Sequence, residues 1–313
     1  MPKKPLLSIC IPTYNREKYL KRLLDSIVSQ KEFTDSDDVE IVIDDGPSKD
    51  NTEVLVQEYK AKFWKKIRYF RNPVAIGMCP AFLEAIELSE GEYTWLFGSD
   101  DVMSDRALWE TLRIILQEAP NVILSERGLV SNEGKLISLA NSSDLILNWV
   151  DEFIQYLPKD VMNGNFFTYI SIFCFRQDTY RRNKSLLSHE RPNDYSNLSK
   201  NYFNFALVIF YNLFTDKIVI IRNSSLVFVQ QWNNGWSFSS LNIFNDLYLL
   251  VKIFRSKYKI NMKCNYFFNN MLFYWLMPSI WWIMKNHKIW KLFYKPLSKI
   301  FFYVMYIWRK SGK

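Results

Sequence analysis

Residues 6–13 read LLSICIPT, and residues 39–47 read VEIVIDDGP. Each begins as a nearly continuous apolar run that ends in a polar loop, and each is followed by residues with helical spacing, at 19–30 and 51–63. A continuous apolar strand is buried on both faces, and strands alternating with helices are typical of parallel sheets. The two stretches therefore predict two consecutive β-α units and a parallel sheet.

The same alternation continues through the first 125 residues. Further strands are predicted at 67–70, 93–97 and 121–124, and further helices at 81–88 and 106–118. The order βαβαβαβαβ predicts an α/β fold with an open, doubly wound, mostly parallel sheet, whose ligands bind at the carboxyl ends of the strands. The later pattern is less regular, with strands expected at 166–175 and 217–221 and aromatic helices near 202–214.

The composition is that of a folded protein and excludes several kinds of site. Of the 313 residues, 49% are hydrophobic and 17% aromatic, unlike a disordered chain. No two of the nine glycines form a G-x-G or P-loop arrangement, and two histidines are too few for a multi-histidine metal site. The four cysteines form no C-x-x-C pair, and the first residues lack a signal-peptide pattern. We therefore expect buried, reduced cysteines and a cytoplasmic protein.

Basic residues are concentrated near the end of the chain. The formal net charge is +8, yet residues 247–313 contain thirteen Lys and Arg and no acidic residue. Five lysines recur every three or four positions between 285 and 299, opposite a face rich in Trp, Phe and Ile. This pattern is typical of a helix lying on an anionic membrane surface, and a core-packing or oligomerisation helix is the alternative. The large apolar side chains disfavour nucleic-acid binding.

Paired carboxylates follow two of the predicted strands. Asp44 and Asp45 end the second strand, and Asp100 and Asp101 follow the strand at 93–97. Adjacent carboxylates repel each other and are best tolerated beside a cation or hydrogen-bond donors, and such ligands suit Mg²⁺ or Mn²⁺ bound with substrate phosphates. An Asx-type turn and a helix N-cap are the structural alternatives. The pairs thus indicate a divalent cation that offsets the charge of a diphosphate.

Three motifs together resemble the family 2 glycosyltransferases, which have the GT-A fold. They are SICIPTYNR at 8–16, EIVIDDG at 40–46 followed by Asn51 and Thr52, and GEYTWLFGSDD at 91–101. The likeness is strong over residues 6–125 and weaker beyond. Within the family, NPVAIG at 72–77 and WLFGSDD at 95–101 are similar to the abequosyltransferase-like enzymes of bacterial O-antigen synthesis. The resemblance implies transfer of a sugar from a nucleoside diphosphate donor.

The resemblance also implies roles for individual residues. Asp45 would contact the base or ribose, Asp100 would face the donor ribose or sugar, and Asp101 would hold the divalent cation that bridges the diphosphate. The rest of the nucleotide-sugar pocket would be formed by Pro12, Thr13, Tyr14, Asn15, Asn72, Gly77 and Ser99.

Two departures from the family pattern leave the chemistry open. After Gly77 the chain reads MCPA, where relatives often carry Arg or Asn, so the donor sugar is undetermined. No Glu-Asp pair follows Asp101, although inverting members usually take the proton of the acceptor hydroxyl with one. We expect Asp194, which precedes an aromatic segment, to be the base, and a retaining reaction is the alternative. Trp232 and Trp236 are candidates for stacking on a sugar acceptor, with a surface turn as the alternative.

These patterns predict a GT-A domain at 1–240, with a donor half at 1–125 and an acceptor half at 126–240, and a basic, aromatic helical region at 241–313. We expect a metal-dependent enzyme, peripheral on the inner face of the cell membrane, whose acceptor is a glycan on polyprenyl diphosphate. A transferase with a soluble or protein acceptor is one alternative. A non-catalytic sugar-nucleotide-binding or scaffold protein is the other.

Overall fold

The computed structural model describes residues 4–125, 127–130, 136–138, 145–147, 170–181, 217–221 and 226–230. Within these ranges the helices include α1 Glu17–Val28, α2 Lys31–Thr34, α3 Thr52–Lys62, α4 Met78–Leu88 and α5 Ala107–Glu118. The strands are β1 Leu7–Thr13, β2 Val39–Asp45, β3 Ile67–Arg71, β4 Tyr93–Leu96, β5 Val102–Met103, β6 Val122–Ser125, β7 Arg127–Val130, β8 Leu136–Ser138, β9 Leu145–Leu147, β10 Phe173–Arg176, β11 Ile218–Ile221 and β12 Val227–Gln230. All the strands and helices predicted over the first 125 residues are confirmed in the predicted order, and two short elements that were not predicted, α2 and β5, lie among them.

Strands β3, β2, β1 and β4 form the parallel half of an eight-stranded sheet, in that order from one edge. Every residue of β1 and β2 is buried, which is why both strands read as apolar runs. Ile9 and Ile41 belong to a core cluster that includes residues of α1 and α3. Cys10, on the other face, donates a hydrogen bond from Sγ to the Ala85 carbonyl of α4 at 3.4 Å. Helices therefore cover both faces, as the sequence predicts.

The second half of the sheet differs from the predicted succession. The strand that neighbours β4 is β10, and it runs antiparallel both to β4 and to β6. The strand predicted at 166–175 is shorter in the described residues, because Ile170–Ile172 forms a 3-10 turn and β10 begins only at Phe173. The strand at 217–221 is confirmed as β11, which is parallel to β6. A strand from later in the chain thus separates β4 from β6.

A second sheet of four strands, in the order β5-β12-β7-β8, was not predicted from the sequence. Its first strand, β5, has only two residues, too few to show an alternating pattern. Strand β12 joins it in antiparallel pairing and also pairs in parallel with β7. This small sheet connects the segment after the second acidic pair to later parts of the chain.

Three residues at the amino ends of β1, β2 and β4 form an amino-end cluster: Ser8, Glu40 and Gly91. Ser8 Oγ donates to Glu40 Oε1 at 2.5 Å and accepts the Gly91 N–H at 2.8 Å. Arg68 Nη1, from β3, lies 3.8 Å from Glu40 and 3.0 Å from Glu90. Each member of the cluster begins one of the three family motifs. At these positions the motifs therefore contribute hydrogen bonds that join neighbouring strands.

The basic region at 241–313, with its predicted membrane helix, lies outside the described residues. Among the helices that the structure does describe, none has the length and apolarity needed to span a bilayer. Cys10 and Cys174 are buried free thiols, in agreement with the expectation for these two cysteines.

Candidate functional site

The carboxyl ends of β1, β2 and β4 lie side by side at one edge of the main sheet. In the parallel register Thr13 is opposite Asp45, and Cys10 is opposite Leu96. The loops that leave these strands carry most of the residues that we expect to bind a nucleotide sugar. Doubly wound sheets bind their ligands at this edge, so the fold brings residues distant in sequence to one candidate site.

Asp45 is fully buried, and both of its carboxylate oxygens accept hydrogen bonds. Ser48 Oγ donates to Oδ1 at 2.5 Å, and Tyr69 OH donates to Oδ2 at 2.8 Å. Burial raises the pKa of Asp45, and the hydrogen bonds oppose that rise because they favour the ionised form. The sequence patterns singled out neither hydroxyl. Asp45 is consequently held in one orientation by two neighbouring elements.

The segment after β1 turns across the end of β2. Asn15 has a φ of 52°, in the left-handed region that asparagine adopts more readily than most residues. Its N–H donates to Ser48 Oγ at 2.9 Å, and its Oδ1 accepts the Lys49 N–H at 2.7 Å. Tyr14 is 46% exposed, and a Cβ on Gly46 would come within 2.9 Å of its ring. An exposed aromatic ring therefore lies against a glycine turn beside Asp45.

Two buried polar atoms at this edge have no hydrogen-bond partner within the described part of the chain: Thr13 Oγ1 and Asp44 Oδ2. The other Asp44 oxygen accepts from Asn72 Nδ2 at 2.6 Å. Burial, with the negative charges of Glu84 and Asp45, raises the pKa of Asp44 to about 7. A buried polar group without a partner costs about 1–3 kcal/mol, so such atoms call for a specific explanation. A bound ligand at this edge would provide one.

The acidic loop at 98–101 follows β4 and is held by a serine from far along the chain. Ser171 Oγ accepts the Gly98 N–H at 2.8 Å and donates to Asp101 Oδ2. Ser171 is fully buried, and Asp101 is only 6% exposed. We call Gly98, Asp101 and Ser171 the carboxyl-end cluster. Nothing in the spacing of the sequence indicates this contact, because seventy residues separate Asp101 from Ser171.

Asp100 and Asp101 differ in their surroundings. The Asp100 side chain is 20% exposed, and its Oδ2 lies 3.5 Å from Arg16 Nη1, which comes from the loop after β1. Asp101 is the residue to which the family resemblance gives the cation, yet its Oδ2 is engaged with Ser171. The more accessible carboxylate of the pair is that of Asp100.

The carboxylate oxygens of the acidic loop are suitable ligands for a divalent cation that also binds water and substrate. Mg²⁺ and Mn²⁺ are commonly bound through one or two carboxylates together with substrate phosphates, and the acidic loop offers that number. Over the ranges that the structure describes, no three or more His, Cys, Asp or Glu side chains converge as a metal-binding group. If a cation binds here, the described residues would supply part of its coordination shell, and phosphates and water would supply the rest.

The structure brings most of the predicted pocket to one edge and leaves three candidates undescribed. At or directly after the carboxyl ends of the strands are Pro12, Thr13, Tyr14, Asn15, Asp45, Asn72, Ser99, Asp100 and Asp101. Gly77 precedes α4 with a φ of 87°, which favours glycine. The candidate base Asp194 and the candidate acceptor residues Trp232 and Trp236 lie outside the described residues.

A comparison with protein families matches residues 8–184, more than half of this chain, to Glycosyl transferase family 2. The matched range contains all three of the motifs described above and the segment that carries Ser171.

Two curated relatives illustrate the likeness. Abequosyltransferase RfbV of Salmonella typhimurium is 32% identical over 184 residues, which are 56% of this chain and 54% of that protein. GalNAc(5)-diNAcBac-PP-undecaprenol beta-1,3-glucosyltransferase of Campylobacter jejuni is 23% identical over 303 residues, 94% of this chain and 89% of that protein. The matched stretch is thus about half the length of the Salmonella relative, and it is about a third of other curated relatives.

A solved structure with the same architecture is the mannosyltransferase PcManGT from Pyrobaculum calidifontis, determined in complex with GDP-Man and Mn²⁺. The TM-score is 0.56 at 12% identity, with 89% of this chain and 73% of the other covered. At that identity the likeness concerns the fold alone, and the predicted GT-A architecture is confirmed.

Proposed function

Because this chain belongs to glycosyl transferase family 2, we propose that it transfers a sugar from a nucleoside diphosphate donor to a glycan acceptor in bacterial surface-polysaccharide synthesis. The observation that carries the proposal is the set of polar groups at the carboxyl ends of β1, β2 and β4. Thr13 Oγ1 and Asp44 Oδ2 are buried without hydrogen-bond partners in the described ranges. Asp100, whose side chain is partly exposed, follows β4, which is the strand next to β1.

The donor would be bound by residues at the carboxyl ends of two neighbouring strands, β1 and β2. Tyr14 offers an exposed ring against which a base can stack, and Asp45 offers a fixed carboxylate to the base or ribose. Arg16 offers a positive charge to the diphosphate; it lies against Asp100 in the structure. These three groups come from the ends of β1 and β2, where a nucleotide binds in doubly wound folds.

We propose that a divalent cation binds at the acidic loop together with the donor. Asp100 is the better candidate for direct contact because it is the more exposed carboxylate, and the expected cation role of Asp101 stays a prediction. When bound, the cation supplies positive charge to the diphosphate as it leaves the sugar. PcManGT, which shares the fold, was determined with GDP-Man and Mn²⁺, and this supports a divalent cation as a partner of the donor.

The acceptor is proposed to be a glycan on polyprenyl diphosphate, reached by a protein peripheral to the inner face of the cell membrane. The Campylobacter relative, which matches 94% of this chain, is named for such an acceptor. The thirteen basic residues at 247–313 would bind anionic lipid. Asp194 is proposed as the base and the two tryptophans at 232 and 236 as acceptor contacts, all in the proposed acceptor half at 126–240.

The test is calorimetric titration of the full chain with UDP, GDP, CDP and dTDP, with and without Mn²⁺ or Mg²⁺. We expect one nucleotide to bind with an affinity that depends on the cation. Transfer to a panel of polyprenyl-diphosphate glycans, followed by mass spectrometry, then separates a transferase from a sugar-nucleotide-binding scaffold. Absence of binding for every nucleotide under every condition would remove the proposed function.

A further inference from the structure

Ser171 connects the acidic loop to a segment that lies outside the donor half. It stands in the 3-10 turn Ile170–Ile172, directly before β10, and its side chain is fully buried. Its hydroxyl accepts the Gly98 N–H and donates to Asp101 Oδ2. Its carbonyl accepts the indole N–H of Trp95 at 2.7 Å. Ser171 is therefore hydrogen-bonded to β4 through its carbonyl and to the loop after β4 through its hydroxyl.

The loop that Ser171 holds is crowded around Gly98. A Cβ at Gly98 would lie 3.1 Å from Asp100 Oδ1, 3.1 Å from Asp101 Oδ2 and 3.4 Å from Ser171 Oγ. Both carboxylates thus lie close to the same stretch of backbone. A shift of Asp101 would consequently displace the backbone that carries Asp100.

We propose that Ser171 is a positioning residue of the donor site: by fixing Asp101 and the Gly98 N–H, it sets where the accessible carboxylate of Asp100 meets the cation and the donor diphosphate. This inference rests on the proposed function. Asp100 would make the contact, and Ser171 would act on it through the loop.

A hydroxyl suits this place because it can accept and donate at once. An alanine would take away the hydrogen bonds that Ser171 makes with the Gly98 N–H and with the buried Asp101 oxygen, and each group would then seek water or a new position. The loop would be free to open, and the geometry of the carboxylates would be lost with it.

The experiment compares Ser171→Ala with Ser8→Ala in the full chain. Ser8 is the matched control because its hydroxyl also accepts a glycine N–H and donates to a buried carboxylate, at the opposite end of the same sheet. Both variants should lower the thermal unfolding midpoint. Only Ser171→Ala should weaken Mn²⁺-dependent nucleotide binding, by about tenfold, the size expected for one lost hydrogen bond to a charged group. It should also speed hydrogen exchange at the Gly98 amide.

A second arm separates positioning from general damage. If Ser171 acts through Asp101, then adding Ser171→Ala to Asp101→Asn should weaken cation-dependent binding less than it does in the wild-type background. Where Ser171→Ala does not fold, Ser171→Cys keeps the shape of the side chain with weaker hydrogen bonds and replaces it in the comparison.

The outcomes distinguish the two proposals. Wild-type protein that binds no nucleotide removes the proposed function and the positioning role together. Wild-type protein that binds, with Ser171→Ala or its cysteine substitute binding equally well, overturns the positioning role alone. The positioning role is likewise overturned if Ser8→Ala weakens binding as much as Ser171→Ala does, or if the loss is the same with and without Mn²⁺.

Discussion

Ser8 and Ser171 lie at opposite ends of the main sheet and make the same pair of hydrogen bonds. Each is fully buried, each accepts the N–H of a glycine next to β4, and each donates to a buried carboxylate. At the amino end the carboxylate is Glu40, and the cation near it is Arg68 of the neighbouring strand. At the carboxyl end a second, more exposed acid, Asp100, directly precedes the buried one and lies beside Arg16.

The difference shows how one hydrogen-bond pattern can serve two purposes. The amino-end cluster joins β1, β2 and β4 at the edge of the sheet opposite to the candidate site. The carboxyl-end cluster fixes a loop whose other acid, Asp100, stays accessible. Because doubly wound sheets bind ligands at the carboxyl ends of their strands, we expect only the carboxyl-end cluster to position a group for a bound molecule.

The largest expected effect on nucleotide binding is that of substituting Asp100. We expect Asp100→Asn to abolish cation-dependent nucleotide binding and to lower turnover by about 100-fold or more, because the charge that meets the cation is removed. The matched control is Glu90→Gln, since Glu90 is also a partly exposed acid beside an arginine, but at the amino end. Calorimetry should show normal binding in Glu90→Gln. Normal binding in Asp100→Asn as well would contradict the assignment of Asp100.

Alanine substitutions of Gly91 and Gly98 should have different effects, the first mainly on stability and the second mainly on nucleotide binding. A Cβ at Gly91 would lie 2.5 Å from Ser8 Oγ, 2.7 Å from Ser8 N and 2.9 Å from Tyr93 O. The last two are backbone atoms, which cannot move aside without disturbing the strands. We expect Gly91→Ala to lower the free energy of unfolding by about 1–3 kcal/mol. Gly98→Ala meets side-chain oxygens at 3.1 Å, so it should weaken nucleotide binding with a smaller loss of stability. Urea denaturation measures the free energy of unfolding of both variants, and calorimetry measures their nucleotide affinity. Equal losses of stability and of affinity in the two variants would contradict this prediction.

Asp44 should make stability depend on pH. Its pKa is raised from 3.8 to about 7, so the native state binds a proton that the unfolded state has released. The free energy of unfolding should therefore fall as pH rises from about 4 to about 7 and level off above, with a slope of at most about 1.4 kcal/mol per pH unit. Urea titrations across this range should show a shallower slope in Asp44→Asn. An unchanged slope in that variant would show that other groups cause the dependence.

The smallest effect is expected at Tyr69. Tyr69→Phe removes one of two hydrogen bonds to Asp45, and Ser48 retains the other. We expect nucleotide affinity to fall about three- to fivefold, a loss near 1 kcal/mol. Tyr59→Phe is the control, since Tyr59 OH likewise donates to an aspartate, Asp25, but away from the acidic loops and between two helices. A similar loss of affinity in both variants would mean that the tyrosines act on stability alone.

The apolar runs were sufficient to predict the parallel half of the sheet, because a strand buried on both faces leaves a continuous signal in the sequence. The antiparallel insertion of β10 was not predictable in the same way. Its partner strands are set by contacts between segments about fifty to eighty residues apart, and a short apolar run carries no information about which edge it will join. The two-residue β5 gave no periodic signal at all.

The acidic pairs of the site were predictable because they end strands, where charge is otherwise costly. Ser48, Tyr69 and Ser171 were not, since a single hydroxyl in a loop or an apolar run looks the same whether it contacts solvent or a carboxylate. The cation role expected of Asp101 stays a prediction, and the choice between Asp100 and Asp101 meets the same limit. Neighbouring carboxylates are equivalent in a sequence, and only the packing around Ser171 distinguishes them.

The place of β10 in the sheet has a consequence for the order in which the protein can assemble during synthesis. Residues 1–125 leave the ribosome before residue 171, so β4 has an open edge until the later strand arrives. An unpaired edge strand invites pairing with other chains. A nascent or truncated chain that ends after residue 125 would carry the three motifs described above, yet its acidic loop would lack Ser171 and its β4 edge would be open to aggregation.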